Sequence, residues 1–301
     1  MGYLSQKKKR NNIKELLNVS LAALTVCCFL FLFFKETEFA EKVSPWLFLI
    51  YIYALLMGIV AVFHKFFWHV LGLSITIFIL FLQIGMGTNL FVDEQTEGLQ
   101  SIKIFYQANA KSNHDSLKQI QKHKPDVAAV LKNSKESLRL FTQKQKQEAL
   151  ETSSGYFVAG LPYSRFGEAL LSQHSFAGFV DLKVGISKII CISLDFSKLS
   201  RREIKTSLKN LAEFINMQDA PIIVVGNFGI EAWSPAFLSF LEKTKLEVKN
   251  KIILSDGKYL FNPFVVPTIN VLAYKDYGIR KMSFLSKKKN PSYPLLIELN
   301  Y

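Results

Sequence analysis

The sequence predicts an α+β chain in two parts: three N-terminal transmembrane helices, then a soluble domain built as a two-layered β-sandwich with helices packed outside it. Three observations carry this. Three stretches within the first 95 residues hold no Lys, Arg, Asp or Glu. From about residue 96, apolar strand-like runs alternate with helical spacing. Residues 221–237, Pro-Ile-Ile-Val-Val-Gly-Asn-Phe-Gly-Ile-Glu-Ala-Trp-Ser-Pro-Ala-Phe, read as strand, short loop and helix, the shape of an active-site edge.

The charge-free runs are Leu16–Phe34, Val43–Phe63 and Phe66–Val92. Each reaches the roughly 18–20 apolar residues that cross a bilayer as a helix. Buried core helices are the bland alternative, but those seldom run so far without a polar face. A cleaved signal peptide fits poorly, because the first run is long, lacks a small-residue cleavage site and is followed by two more. Spans are expected at about 16–34, 45–63 and 67–91, within a membrane domain of residues 1–95.

Basic flanks set the expected orientation. Lys7, Lys8, Lys9 and Arg10 precede the first span and place the N-terminus in the cytoplasm. Glu36, Glu38 and Glu41 outnumber Lys35 and Lys42 in the next loop, which suits the outer side. His64 and Lys65 make a tight inner return, and Asp93, Glu94 and Glu97 follow the third span outside. The C-terminal domain is thus expected to be extracytoplasmic, on an inner (plasma) membrane. Trp46 and Trp68 lie near span ends, as interfacial anchors do, and His69 is expected to pack near the interface. Cys27 and Cys28 fall inside the first span, and Cys191 is the soluble part's single cysteine, so no disulfide framework can form there.

In the soluble domain, residues 96–301, strands are expected at Ser101–Tyr106, Val127–Leu131, Gly155–Leu161, Phe176–Val184 and Ser187–Leu194. A helical stretch, Ser116–His123, is closed by Pro125, and Lys132–Glu151 reads as a charged connector. Ile204, Leu208, Leu211 and Ile215 recur at helical spacing within Arg201–Met217. Ile222–Val225 is a buried strand, and Ser234 with Pro235 forms an N-cap and first-turn pair, starting a helix near Ala236. Strands near Val248–Leu254, Thr268–Tyr274, Ile279–Phe284 and Leu295–Leu299 finish the chain.

Several of these segments resemble motifs of the endonuclease/exonuclease/phosphatase superfamily, which includes deoxyribonuclease I, and most closely its membrane-tethered bacterial branch with three preceding spans. Residues 221–237 resemble its Gly-Asp-Phe-Asn…Trp-Ser-Pro stretch, with Asn227 and Gly229 at the two polar positions. Gln107-Ala108-Asn109 resembles the first strand's end, and Lys124-Pro125-Asp126-Val127 the Pro-Asp-Val-Val-Ala-Leu-Gln-Glu step. Gly167-Glu168-Ala169-Leu170-Leu171-Ser172 is similar to its Gly-x-Ala-Leu-Leu-Ser-Arg turn, with Gln173 for arginine. The resemblance spans most of residues 101–301 and implies a four-layer α-β-β-α sandwich hydrolysing phosphoesters with Mg²⁺.

Position by position, it also implies that the chemistry is missing. Asn109 is the retained asparagine. The metal-ligating glutamate aligns with Lys132, the strand-ending histidine with Ser193, and the Asp-Asn pair with Asn227 and Gly229. An Ile-Asp-His triplet aligns with Thr268-Ile269-Asn270, and the closing Asp-His with Pro291 and Ser292. Mg²⁺ needs hard carboxylate oxygens, and water activation needs a histidine–aspartate pair. An ammonium at 132, an amide at 227 and a hydroxyl at 292 supply neither. The expectation is an inactive domain with no cofactor, or, as the alternative, a Mg²⁺-dependent phosphodiesterase or phosphatase with a relocated site.

Other groups bear on that alternative. Asp126 reads as a cap on a strand entry, and Asp195 with Ser197 as a turn before a helix. Asp181, His114, His123 and His174 have no zinc-like spacing. Glu231, two residues beyond the frame loop, is the most interesting carboxylate. Charge bears on partners: the chain's net +13 sits almost wholly in residues 101–301, where 29 Lys and Arg face 17 Asp and Glu. The clusters Lys111–Lys124, Lys132–Lys146, Lys198–Lys209, Lys243–Lys251 and Arg280–Lys289 suit anionic lipid, an envelope polymer or another polyanion, with nucleic acid possible in principle. A solvated basic surface, or a structural envelope protein whose spans carry the role, are the bland readings.

Overall fold

The computed structural model describes residues 2–33, 43–88, 101–107, 113–131, 149–152, 155–159, 163–184, 187–249, 269–285 and 294–300. The chain forms two compact units: one holds residues 1–87 with 233–238 and 263–266, the other the remaining residues.

The first unit is helical: α1 (Gly2–Phe33), α2 (Leu47–Phe63) and α3 (Phe67–Thr88). Among the described residues, one of the three expected spans is long and apolar enough to cross a membrane, the 19 residues Asn11–Phe29; Leu49–Phe63 and Phe67–Leu82 are shorter apolar helices. Only 22 % of the longer stretch is buried, far less than a soluble core helix of that composition would bury. Val19, Phe29, Ile59, Val62, Ile75 and Phe78 likewise turn outward on all three helices.

Between the helices, polar side chains pair. Ser20 Oγ lies 2.7 Å from the Tyr53 hydroxyl, and His69 Nε2 lies 2.6 Å from Asn18 Oδ1, so His69 packs inside the helical unit. Gly72 has no side chain where Leu21 approaches; a Cβ there would meet Leu21 Cδ2 at 3.0 Å, the close helix contact that small residues permit. The expected tight return at His64-Lys65 is a Schellman end: Lys65 takes φ 56°, Phe66 N–H donates to Ala61 O, and Lys65 N–H donates to Val62 O. The 3₁₀ turn Ser44–Trp46 precedes α2, and the Ser44 carbonyl accepts the Trp233 indole N–H at 2.7 Å. The flanking residues 34–42 and 89–100 lie outside the described residues.

The second unit holds the strands β1 (Ser101–Gln107), β2 (Val127–Leu131), β3 (Ala149–Thr152), β4 (Gly155–Ala159), β5 (Tyr163–Ser172), β6 (Ser175–Val184), β7 (Ser187–Asp195), β8 (Ile222–Asn227), β9 (Glu247–Val248), β10 (Ile269–Ala273), β11 (Gly278–Phe284) and β12 (Leu295–Asn300). They form two six-stranded sheets, ordered β11-β12-β1-β2-β4-β3 and β5-β6-β7-β8-β10-β9. Alternate residues of both meet in one core: Ile102, Ile104 and Val127 from the first, Val180, Ile189, Ile223 and Val271 from the second. Removing each such side chain from water stabilises the fold by about 1.5–3 kcal/mol.

Helix α4 (Asn113–His123) joins the parallel pair β1–β2 and is tied to the first sheet by Ser116 Oγ, which donates to Gln107 Oε1 at 2.6 Å. Helix α5 (Arg201–Asn216) joins the parallel pair β7–β8 and buries Ile204, Leu208, Leu211 and Ile215, the residues its spacing predicted. Its first turn carries a capping box, Ser200 with Glu203. The Glu203 carboxyl is held below its usual range by the Ser200 side-chain and backbone hydrogen bonds. Helix α6 (Pro235–Thr244) starts where Ser234 and Pro235 predicted, with Phe237 N–H donating to Ser234 Oγ.

Two elements differ from the sequence expectation. Ala149–Thr152, placed in a charged connector, pairs with β4 as an edge strand. Gly167–Ser172, expected as a turn, is the second half of β5; the turn falls at Gln173-His174, closed by Ser172 Oγ and Ser175 Oγ at 2.8 Å.

Candidate functional site

Within the second sheet, β7, β8 and β10 bring several of the sequence-predicted positions to one end. Asp195 is the register partner of Asn227 across the parallel β7–β8 pair, and Ile269 is the partner of Asn227 across β8–β10. By strand alternation, Ser193, Asn227 and Ile269 share the face toward the other sheet. Ser193 is buried, opposite Gly178 and Val225. Ile269 packs on the inter-sheet core, an apolar side chain at a position where the resemblance implies a carboxylate. Asn270, partner of Gly226, falls on the opposite face and is buried. Asn109, Lys132, Pro291 and Ser292 lie outside the described residues.

The centre of this edge is a residue that the sequence did not single out. Tyr106, fully buried on β1, donates its hydroxyl proton to Leu194 O at 3.0 Å and accepts from Asn227 N–H at 3.0 Å. Burial, then the charge of Asp195, pushes the phenol pKa well above its ordinary value, against the lowering effect of the Asn227 hydrogen bond. The only signal in the sequence was a tyrosine at the end of an expected strand, where a phenol, once buried, needs a partner.

Asn227 is itself engaged. Its Oδ1 accepts Gly229 N–H at 3.1 Å, closing an Asx turn at the strand end. Gly229 takes φ +68°, and a Cβ there would stand 2.6 Å from Phe196 O and 3.0 Å from Ile204 Cδ1. The loop at this position is thus built for glycine. Gly226 meets a similar limit, 2.6 Å from Leu194 O.

The carboxylates singled out for alternative chemistry have structural partners. Glu231, buried, receives Arg201 Nη2 at 2.7 Å, which ties the loop after β8 to the first turn of α5. Asp195 Oδ1 accepts Ser197 N–H at 3.0 Å, the turn expected before α5. Asp126 Oδ2 accepts Lys103 N–H at 2.7 Å while Asp126 N–H donates to Lys103 O, fastening β2's entry to β1. Asp181 lies between Arg165 and Lys188, at the other end of the sheet. The Cys191 thiol sits in the sandwich core, and burial pushes its pKa up.

Among the described residues, no group of three or more His, Cys, Asp or Glu is placed to hold a metal ion. Among the described residues, these strand ends offer a turned-in amide, a buried hydroxyl and the carboxylate of Asp195, fewer charged oxygens than a Mg²⁺ cage uses.

No family model matches the sequence, and no curated protein matches it. Solved structures do. An endonuclease/exonuclease/phosphatase from Bacteroides vulgatus is similar with a TM-score of 0.53 at 11% identity, over 67% of this chain and 99% of that one. TDP2 of D. rerio complexed with single-strand DNA product gives 0.52 at 8%, over 67% and 100%. A mannosyl-6-phosphatase of Bacteroides thetaiotaomicron VPI-5482 gives 0.50 at 11%, over 66% and 100%. At such identities the likeness is one of fold. The chain carries the fold of the endonuclease/exonuclease/phosphatase superfamily.

Proposed function

We propose that this chain is a membrane-anchored domain of that fold that binds or scaffolds an anionic partner outside the cytoplasm and does not hydrolyse phosphoesters. The observation that carries the reading is the state of the β8 edge. Asn227 stands where a carboxylate would ligate metal, its oxygen serves the Gly229 turn, and the nearby Glu231 is neutralised by Arg201. The sequence positions of Lys132 and Ser292 add a cation and a hydroxyl where a ligand and a base are implied. Three spans with the N-terminus in the cytoplasm belong to the same proposal; the long apolar α1 and the outward apolar residues of α2 and α3 support it.

The partner class follows from charge and precedent. Residues 101–301 carry the chain's positive excess, and the matched structures include a named phosphatase and a DNA complex. Anionic lipid headgroups or envelope polymers suit a tethered basic domain best. The deciding assay uses the full chain in detergent with Mg²⁺ and a generic phosphodiester. No turnover above the protein-free rate is expected; Mg²⁺-dependent cleavage abolished by Glu231→Gln establishes the hydrolase alternative instead. Orientation is read by labelling single cysteines placed at Lys9 and Asp276 in intact cells: only the latter is expected to react with an impermeant maleimide.

A further inference from the structure

Helices α1 and α3 run parallel, and two contacts fix their register. His69 Nε2 lies 2.6 Å from Asn18 Oδ1, and the open side of Gly72 receives Leu21, where a Cβ would stand 3.0 Å from Leu21 Cδ2. The partners in both contacts are 51 residues apart, so the two helices keep one offset along this stretch. Carried one turn, about 6 Å, toward the N-terminal end, that offset sets Lys14 of α1 beside Lys65. Lys65 is the residue at φ 56° in the turn between α2 and α3.

Two lysines thus meet at one level of the helical unit. Both are exposed, and neither makes an ion pair among the described residues. Like charges on neighbouring turns repel, and the sequence here holds little to offset them. Across residues 1–20 and 60–70, Lys7, Lys8, Lys9, Arg10, Lys14 and Lys65 face one carboxylate, Glu15. Glu15 follows Lys14 on α1, roughly 100° further round the helix. The surface about Lys65 is aromatic: Phe63, Phe67 and Trp68 are 81 %, 70 % and 75 % exposed. The rings of Phe67 and Trp68 pack edge to face at 5.4 Å. A cationic turn ringed by outward aromatic side chains is costly in water and suits the headgroup layer of a bilayer, where such rings sit beside lipid phosphates.

We propose that Lys14 and Lys65 together hold the headgroup phosphate of an anionic phospholipid in the cytoplasmic leaflet. The inference rests on the reading of α1–α3 as spans with the N-terminus inside, and it adds a ligand for the membrane unit itself. An anionic phosphate between the two ammonium groups relieves their repulsion, whereas a zwitterionic headgroup brings a cation of its own. Basic sites between helices at the cytoplasmic side select anionic lipids in this way. Lys7–Arg10, next along the chain, attract the same leaflet. The exposed rings of Phe63, Phe67 and Trp68 make the bilayer, not a free phosphate ester, the source of that group.

The test is native mass spectrometry of the full chain in detergent, titrated with dioleoyl phosphatidylglycerol or dioleoyl phosphatidylcholine. The first phosphatidylglycerol is expected to bind about fivefold or more tightly than phosphatidylcholine. Lys14→Gln and Lys65→Gln should each weaken phosphatidylglycerol about fivefold and leave phosphatidylcholine unchanged. Lys65→Arg should keep the preference, and Lys183→Gln should alter neither lipid. Lys14 lies on a regular helix and Lys65 in a turn, so if one variant fails to fold the other still decides. Equal binding of the two lipids, or a preference that survives both substitutions, overturns the proposal. So does displacement of the lipid by glycerol 3-phosphate at the same concentration, which makes a free phosphate ester the ligand. Detergent solution has no sidedness, so a reversed orientation leaves the lipid preference intact and appears only in the cysteine labelling.

Discussion

The backbone N–H of Asn227 donates to the phenol oxygen of Tyr106 across the two sheets at 3.0 Å. The same hydroxyl passes its proton to Leu194 O on the neighbouring strand. One side chain from β1 thereby satisfies backbone groups at the ends of β7 and β8. The superfamily's fold is kept at this edge by an internal hydrogen-bond relay that needs no ligand.

Tyr106→Phe removes the relay and leaves the Leu194 carbonyl and the Asn227 N–H without this partner. Loss of about 1–3 kcal/mol is expected, read as a lower urea midpoint with an unchanged slope. An unchanged midpoint shows that water replaces the phenol and that the clasp carries no weight.

Restoring the implied polar pair should not restore a site. Asn227→Asp keeps an oxygen for Gly229 N–H and is expected to fold. Gly229→Asn places a Cβ 2.6 Å from Phe196 O; asparagine tolerates φ +68°, so the cost arises from the contact, about 1–3 kcal/mol. The double variant should therefore melt below wild type and show no Mg²⁺-dependent cleavage. Thermal unfolding followed by circular dichroism checks the first outcome, and the phosphodiester assay the second.

The strand–loop–helix frame was legible because each signal there is local: a β-branched run, then Gly226, then Ser234-Pro235. The face of α5 was legible for the same reason, in the 3.6-residue spacing of Ile204, Leu208, Leu211 and Ile215. Strand β5 was not, because Gly167 and Ser172 look like turn residues until pairing with β6 makes them an edge strand. Nor was Tyr106, whose role is set by two backbone groups at least 88 residues away in sequence. Arg201 was equally hidden, since only the fold brings it 2.7 Å from Glu231.

Asp126 gives a pH signature. Its carboxyl is pushed above the ordinary 3.8 by burial, partly offset by the Lys103 N–H bond and the Lys103 charge. With a folded pKa above the unfolded one, its favourable contribution is complete below the unfolded pKa and is lost as pH rises through the folded pKa. Asp126→Asn cannot titrate and keeps an acceptor for Lys103. The stability of Asp126→Asn minus that of wild type is therefore expected to rise between acidic and neutral pH, measured by urea unfolding across that window. A difference that stays flat or falls contradicts the assignment.

The Arg201–Glu231 pair separates the two readings of the β8 edge. If the pair is structural, Arg201→Ala leaves a carboxylate of 8 % exposure without its cation and costs about 3 kcal/mol. Glu231→Gln keeps an oxygen for the guanidinium and should cost less. Millimolar Mg²⁺ should then raise the melting temperature of wild type no more than that of Glu231→Gln, because an arginine-bound carboxylate offers a dication little. If instead Glu231 serves a relocated metal site, Arg201→Ala frees it, and Mg²⁺ should stabilise that variant above wild type through binding to the folded state. The order of the three Mg²⁺-induced shifts, measured in one buffer, distinguishes a neutralised strut from a ligand held in reserve.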